Sequence, residues 1–313
     1  MEPTISVITL TYGQQDYILE TIKSVVNQEY NGFVEYIIAN DNSPDNTDVI
    51  IKDYLANTSL PTNMVIRYTN HTENKGMTSN FIWALKQANG EYIAICEGDD
   101  YWIENNKLQN QMNILRLDPE ITICCSNYYE LKNRTLNSNF NNNLKQDKYF
   151  GFEDLLRNNM IATLTAVFKN LGISFWNELE QILLTNNFLI ADYVLWLLLM
   201  EKGGKIAKYT DKTSVYRLLE ESASHSKNEL KLINIELNVL EIREIFFKRN
   251  YNIKEKREIF NDILNDSYYV LQNYNHKLSI DVRNKIYNTL IEHSMRLDLK
   301  NKLKKAYKWI TKN

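Results

Sequence analysis

Only three cysteines occur in the 313 residues: Cys96, Cys124 and Cys125. An odd set in strand-like surroundings, without metal-ligand spacing, speaks against a disulfide scaffold or a zinc module and reads as buried reduced thiols. Long hydrophobic runs are missing too. The longest late run, Val194 to Met200 (VLWLLLM), is far short of the roughly 20 residues a membrane-spanning helix needs. The opening MEPTISVITLTYG has no basic leader, no long apolar core and no small-residue cleavage site, so it reads as a first strand and a cytoplasmic chain is expected. Strong charge is absent as well. A net charge of −3, with no Lys/Arg block interleaved with aromatics in the first two-thirds, argues against a nucleic-acid partner. Finally, Thr11-Tyr12-Gly13-Gln14-Gln15 contains no G-x-G-x-x-G, which excludes the usual nicotinamide-binding turn. The glycine- and basic-rich loop expected of a nucleotidyltransferase is also lacking there.

What is present is the composition of an ordinary soluble domain, 44% hydrophobic and 24% charged. The length allows one large α/β domain with an appendage. Strand-like and helix-like segments alternate. Ile5 to Leu10 predicts a strand, and Asp16 is placed to cap a helix whose Ile18, Ile22, Val25 and Val26 recur at helical spacing. Phe33 to Ala39 predicts a second strand, Thr47 to Leu55 a helix, Met64 to Tyr68 a third strand, Thr78 to Ala88 a helix, and Tyr92 to Cys96 a fourth strand. This order implies a mostly parallel sheet flanked by helices.

Three loops then fall at carboxyl ends of strands, where open α/β sheets bind ligands. They are Thr11-Tyr12-Gly13, Asn40 to Thr47, and the turn Glu97-Gly98-Asp99-Asp100. Each could be only a turn, since Asn, Asp, Ser and Pro are ordinary turn residues. The acidic turn is the more demanding, because each close pair of its carboxylates costs on the order of 1 kcal/mol even in water. A hard divalent cation would relieve that repulsion.

The stretches VITLTYGQQDYILETIKSVVNQ, IIANDNSPDNT, ENKGMTSNFIWAL and GEYIAICEGDDYW resemble, in order, the nucleotide-sugar half of a family 2 glycosyltransferase with the GT-A fold. ADYVLWLLLMEKGGKI and SVYRLLEESASH resemble its acceptor half. The resemblance implies a Rossmann-like GT-A domain over residues 1–225, divided near residue 103, and a helical region over 226–313. It also implies a nucleotide-sugar site at Thr11, Tyr12, Asp41, Lys75, Gly76, Glu97 and Gly98. Tyr12 would stack on the base and Asp41 would accept a hydrogen bond from it. Lys75 would lie near the base or diphosphate. Glu97-Gly98-Asp99 occupies the Asp-X-Asp position, so Asp99, with Glu97, would hold Mn²⁺ or Mg²⁺ against the diphosphate. Arg217 is read either as a diphosphate or acceptor contact or as a structural ion pair.

Asp192 opens an apolar helix and is read as the general base, a plain N-cap being the alternative. Taking a proton from an acceptor hydroxyl that attacks opposite the diphosphate, it would give inverted anomeric configuration. The family usually carries Asp at Glu97, an acidic residue at Ala191 and often His at Leu219. His225 is the remaining candidate for a third metal ligand. The implied activity is an inverting, metal-dependent transfer from a nucleotide sugar, a UDP-sugar being favoured. The acceptor would be a glycan, glycoprotein or lipid-linked sugar of a bacterial-type surface polymer. A sugar-nucleotide or glycan-binding module with a degenerate site is the alternative from another class.

Tyr101 and Trp102 serve either as an acceptor platform or as a wedge seating the helix Lys107 to Leu117. The Asn-rich stretch Leu136 to Lys148 is expected to be a mobile lid. From Lys227 onward Leu230, Ile233, Leu237 and Leu240 recur at a/d spacing, the signature of a helix packing on another helix, either against the catalytic domain or in self-association as a homo-oligomer. The basic, aromatic-interleaved MRLDLKNKLKKAYKWITKN is read as a helix, either lying peripherally on the inner face of an anionic membrane or simply basic.

Overall fold

A computed structural model describes residues 2–138, 143–219, 229–274, 278–280 and 283–284. His225 and the basic segment beginning at Met295 lie outside them. The chain divides into two compact units: Met1–Leu155 with Asn159–Asn187 and Ala191–Leu219, and Leu156–Asn158 with Phe188–Ile190 and Glu220–Asn313.

The first unit is built on a sheet whose centre is the first apolar segment. β1 (Ile5–Thr11) pairs in parallel with β2 (Val34–Asn40) on one side and β4 (Tyr92–Ile95) on the other, with Ile8 opposite both Ile37 and Ile95. Strands covered on both faces read as continuous β-branched runs, which is why these segments show no alternation. β3 (Met64–Asn70), at the sheet edge beyond β2, does alternate between buried and exposed positions. The connections are α1 (Ile18–Val26), α2 (Thr47–Asn57) and α3 (Met77–Gln87).

Element ends match the expected ones to within one or two residues, the normal scatter. The cap on the first helix differs. Tyr17, not Asp16, holds the N-cap position, and no side chain caps it. The Gln14 carbonyl instead accepts the N–H groups of Tyr17 and Ile18, so backbone bonding has displaced the capping propensity of Asp16.

The second half of the sheet adds β5 (Tyr101–Trp102), β6 (Ile121–Lys132), β7 (Thr135–Asn137), β8 (Lys148–Phe150), β9 (Val167–Lys169) and β10 (Lys205–Arg217). The order is β3-β2-β1-β4-β9-β6-β10-β5. Three-residue β9 is the joint: antiparallel to both β4 and β6, it links the parallel block β3 to β4 with the parallel pair β6 and β10. The sheet is therefore mostly parallel. The helices of this half are α4 (Lys107–Leu117), α5 (Phe152–Arg157), α6 (Ile173–Asn186) and α7 (Ala191–Glu201), with a 3₁₀ turn at Thr163–Thr165. Every residue of α7 from Tyr193 to Met200 is buried, and Trp196 meets Phe168 of β9 edge-on at 5.1 Å between ring centroids. A helix apolar all round belongs inside the molecule, which explains VLWLLLM without a membrane. No helix among the described residues is long and apolar enough to cross one.

All three cysteines are free and buried. Of the Asn-rich stretch, residues 136–138 and 143–148 are described. Where it is described, the Asn127 amide bonds both the N–H and C=O of Leu144, and the Asn143 amide does the same to Tyr128. Asparagine amides replace strand partners there, so the stretch carries no periodicity.

The second unit contains α8 (Glu229–Asn250) and α9 (Arg257–Tyr274), which pack together with Phe247 and Phe260 at 5.0 Å. Buried Arg243 bonds Asp266 at 2.5 Å and the Leu156 carbonyl at 2.7 Å. Of the four a/d residues, Ile233 and Leu240 are buried.

Because Trp196 fills the space between α7 and β9, Trp196→Ala should lower stability by about 3–5 kcal/mol, the usual cost of removing a buried tryptophan. Urea titration measures it, and a loss below about 1 kcal/mol would show that α7 does not share the sheet's core.

Candidate functional site

The parallel order β2-β1-β4 brings the ends of three strands together, and backbone bonding continues past them. Asp41 N–H reaches the Thr11 carbonyl, and Gly98 N–H the Leu10 carbonyl, both at 2.9 Å. The first two loops are stitched by hydrogen bonds from Gly13 N to Ser43 Oγ, Gln14 N to Thr47 Oγ1 and Gln15 N to Asp45 Oδ2, at 3.0 to 3.1 Å. Gly98 lies against the first loop so closely that a Cβ would sit 2.9 Å from Thr11 Cβ and 2.3 Å from Gln14 Oε1. Glycine is needed there for the loops to meet.

On this floor Tyr12 is half exposed, with a ring face available to a planar partner. Asp41 is buried, and its two oxygens accept Lys75 N at 2.7 Å and Gly76 N at 2.9 Å. Each oxygen keeps a further lone pair. Asp41 therefore anchors the loop before α3, where Gly76 adopts φ +83°, and leaves the Lys75 side chain exposed. Asn40, which sequence reasoning passed over, is fully buried. Its Oδ1 accepts Ser43 N and Oγ, and its amide donates to Tyr68 Oη. The Asn-x-x-Ser spacing was the available signal, an Asx turn.

The acidic turn is held from below. Thr21 Oγ1 donates to the Asp100 carbonyl at 2.6 Å, and Asp100 Oδ1 accepts Arg217 N at 2.8 Å. Glu97 and Asp99 stand half-buried at the crevice, whereas Asp100 is buried. Burial, then the charges of Asp99 and Asp192, push the Glu97 carboxyl up to about 8. Burial likewise raises Asp99, although the Gln14 side chain bonds its carboxylate, and Asp100 lies well above the carboxylate range for burial and for its two acidic neighbours. Asp192, in the first turn of α7, belongs to the same electrostatic group. Its Oδ2 accepts Thr163 Oγ1 at 2.7 Å and its Oδ1 accepts Tyr193 N at 2.8 Å, while burial raises its affinity for a proton.

This donor set suits a hard dication: oxygen ligands, surplus negative charge, and an Asp100 Oδ2 that is buried without a hydrogen-bond partner among the described residues. Among those residues no three acidic, imidazole or thiol groups form a cage by themselves. An ion held there would take one or two carboxylates from the chain and its other ligands from outside it.

The buried guanidinium of Arg217 donates to the Asp99 carbonyl and to Glu20, and lies over the rings of Tyr101 at 4.4 Å and Tyr17 at 5.0 Å. The ion pair of one reading is thus present, with Glu20 as its exposed partner. Trp102 is buried, donates Nε1–H to the Leu164 carbonyl at 2.8 Å, and its ring covers the Lys107 ammonium at 4.4 Å. Burial lowers that lysine to about 7. Tyr101 remains partly exposed, and Leu219 is half-buried at the end of the first unit.

A doubly joined α/β sheet with a carboxylate-rich crevice at the ends of its parallel strands is the GT-A fold. The chain belongs to glycosyl transferase family 2, whose family model matches residues 6–174. It is 28% identical over 252 residues to an Escherichia coli protein named UDP-Glc:alpha-D-GlcNAc-diphosphoundecaprenol beta-1,3-glucosyltransferase WfaP, covering 80% of this chain and 89% of that one. It is also 40% identical over 119 residues to an uncharacterized Mycobacterium tuberculosis protein, 38% of this chain, and this match spans only 33% of that protein's length. Among solved structures, Staphylococcus aureus TarS 1-349 in complex with UDP-GlcNAc superposes with a TM-score of 0.65 at 16% identity, covering 91% of this chain and 79% of that chain.

Glu97 holds its proton to about pH 8 in the folded chain, against 4.5 for an ordinary glutamate, so the folded state binds the extra proton between those values. Stability then falls as pH rises through that window. In EDTA the melting temperature should decline between about pH 5 and pH 8, and Glu97→Gln should flatten the decline. Identical slopes for the two proteins would remove Glu97 as its source.

Proposed function

We propose that this chain is an inverting glycosyltransferase that moves a sugar from a UDP-sugar to a hydroxyl of a lipid-linked glycan. The observation that supports the reading is the short path from Asp192 to the strand after the acidic turn: Thr163 Oγ1 donates to Asp192, and the next residue's carbonyl, Leu164, accepts Trp102 Nε1; the Asp192 charge is also among the causes that raise Glu97. A base and a diphosphate site must stand this close for one acceptor oxygen to reach the anomeric carbon. The printed activity of the Escherichia coli relative supports the donor and the diphosphate-lipid acceptor class.

In this reading Tyr12 stacks on the base and Asp41 receives a hydrogen bond from it on a remaining lone pair. Thr11, Lys75, Gly76 and Gly98 shape the nucleotide cradle. Asp99, assisted by Glu97, would hold Mn²⁺ or Mg²⁺, which when bound neutralises charge on the departing diphosphate. Asp192 accepts the proton of the acceptor hydroxyl while its oxygen bonds to the anomeric carbon from the face opposite the diphosphate. The bond from that carbon to the diphosphate oxygen breaks, UDP leaves, and the new linkage has inverted configuration. Acceptors of this class sit in a bilayer, so the enzyme works at the inner face of the membrane from the cytoplasmic side. The second reading, a binding module without catalysis, keeps the nucleotide cradle and gives Asp192 no chemistry.

Two measurements decide between them. Melting of the purified chain with UDP-, GDP-, CDP- and dTDP-sugars should show stabilisation of about 2.7 kcal/mol at a hundredfold excess of the right donor, present with Mn²⁺ and lost in EDTA. No shift with any nucleotide removes the donor site. Asp192→Asn should then reduce turnover by about 10²- to 10⁴-fold while leaving that shift in place. An Asn variant as active as the wild-type chain would leave the base unassigned.

A further inference from the structure

A carboxylate on the first turn of a helix can rotate about its side-chain bonds, and a base must not. Of the two bonds that hold Asp192, the one from Tyr193 N comes from the adjacent residue and moves with it. The other, from Thr163 Oγ1 at 2.7 Å, ties the carboxylate to a separate part of the same unit, 29 residues away in sequence. Thr163 is buried and opens the 3₁₀ turn Thr163–Thr165.

That turn is fixed on several sides. The Leu164 carbonyl accepts Trp102 Nε1 at 2.8 Å, from the strand that follows the acidic turn. Ser214 Oγ, on β10 three residues before Arg217, reaches the same carbonyl at 3.4 Å. The Thr165 carbonyl accepts Gln111 Nε2 at 2.8 Å from α4, and Thr165 Oγ1 closes the turn on the Ala162 carbonyl at 2.7 Å. A continuous path therefore runs from Asp100 through Trp102, Leu164 and Thr163 to Asp192, with no flexible side chain in it except the threonine hydroxyl, whose χ1 is restricted.

We propose that Thr163 is a positioning residue for Asp192, and that the 3₁₀ turn sets where the base stands relative to the acidic turn. This rests on the reading of Asp192 as the base. Thr163 makes no contact with donor or metal in this assignment. Its loss should therefore lower turnover and leave donor affinity alone, since misplacing a reacting group by about 1 Å can cost a hundredfold.

The test uses the full chain with Thr163→Val, which keeps the shape and removes the hydroxyl, Thr163→Ser, which restores it, and Asp192→Asn. UDP release is followed with Mn²⁺ and an alkyl-diphosphate-linked GlcNAc acceptor, using whichever of UDP-glucose, UDP-galactose and UDP-GlcNAc the wild-type chain turns over fastest. The valine variant should lose about ten- to a hundredfold in kcat with donor KM unchanged, and serine should recover most of the loss. Trp102→Phe, which removes the indole N–H from the path, should show a smaller loss of the same kind. If valine retains wild-type kcat while Asp192→Asn is inactive, the positioning role fails and the base survives. If Asp192→Asn is fully active, the base reading fails and takes this inference with it. A valine loss that serine does not recover, accompanied by a lower melting temperature, reduces Thr163 to a packing residue.

Discussion

The hydrogen bond from Arg217 N–H to Asp100 Oδ1 joins residues 117 apart and fastens the end of β10 to the acidic turn after β4. Much of the crevice depends on it. One oxygen of a buried carboxylate is occupied by a neutral amide, and the guanidinium of the same arginine caps the Asp99 carbonyl and pairs with Glu20. Only the arginine end of the ion pair is buried, the Glu20 side chain being largely exposed, so the pair with Glu20 is the weaker part of this junction. Tyr17 and Tyr101 cover the two sides of that guanidinium, so α1, β5 and β10 are held by a single side chain.

The remaining carboxylates are deliberately under-compensated by the protein. Asp45, elsewhere in the floor, shows the opposite solution: the Thr47 hydroxyl and the backbone N–H groups of Gln15 and Thr47 hold it below the ordinary range despite its desolvation. Glu97, Asp99 and Asp192 have fewer donors, and the charges of Asp99 and Asp192 help to raise Glu97. Perturbation of this kind, concentrated in one crevice and absent from the loop beside it, is the mark of a site prepared for a positive partner.

The sheet and the floor of the site were legible in the sequence because they depend on local signals. Apolar runs ended by turn residues located β1, β2 and β4 to within a residue or two, and so put the loops carrying Tyr12, Asp41, Glu97 and Asp99 at the strand ends; the roles of those residues came only from the family resemblance. What escaped depends on partners far away in the chain. Thr163 is a threonine in a stretch without a motif until Asp192 lies beside it. Gly98 looks like an ordinary turn glycine until Thr11 and Gln14 close over it. Asp16 has the right chemistry for a cap, but the Gln14 carbonyl had already taken the N–H groups it would help to order. Arg217 could be a ligand for substrate or for protein on sequence alone, and its pairing with Glu20 was not legible there.

The three-residue strand β9 has a consequence for the order of assembly. The parallel block β3-β2-β1-β4 is complete once residue 95 is available. The second block cannot close until β10 ends at residue 217, because β6 waits for a partner 84 residues further on at Lys205 and Ile121. Chains fold as they emerge, so the order of synthesis separates the two blocks. The loops at the ends of β1, β2 and β4 can therefore meet before α7 has been made, and until β9 arrives the edge of β4 beyond β1 stays open.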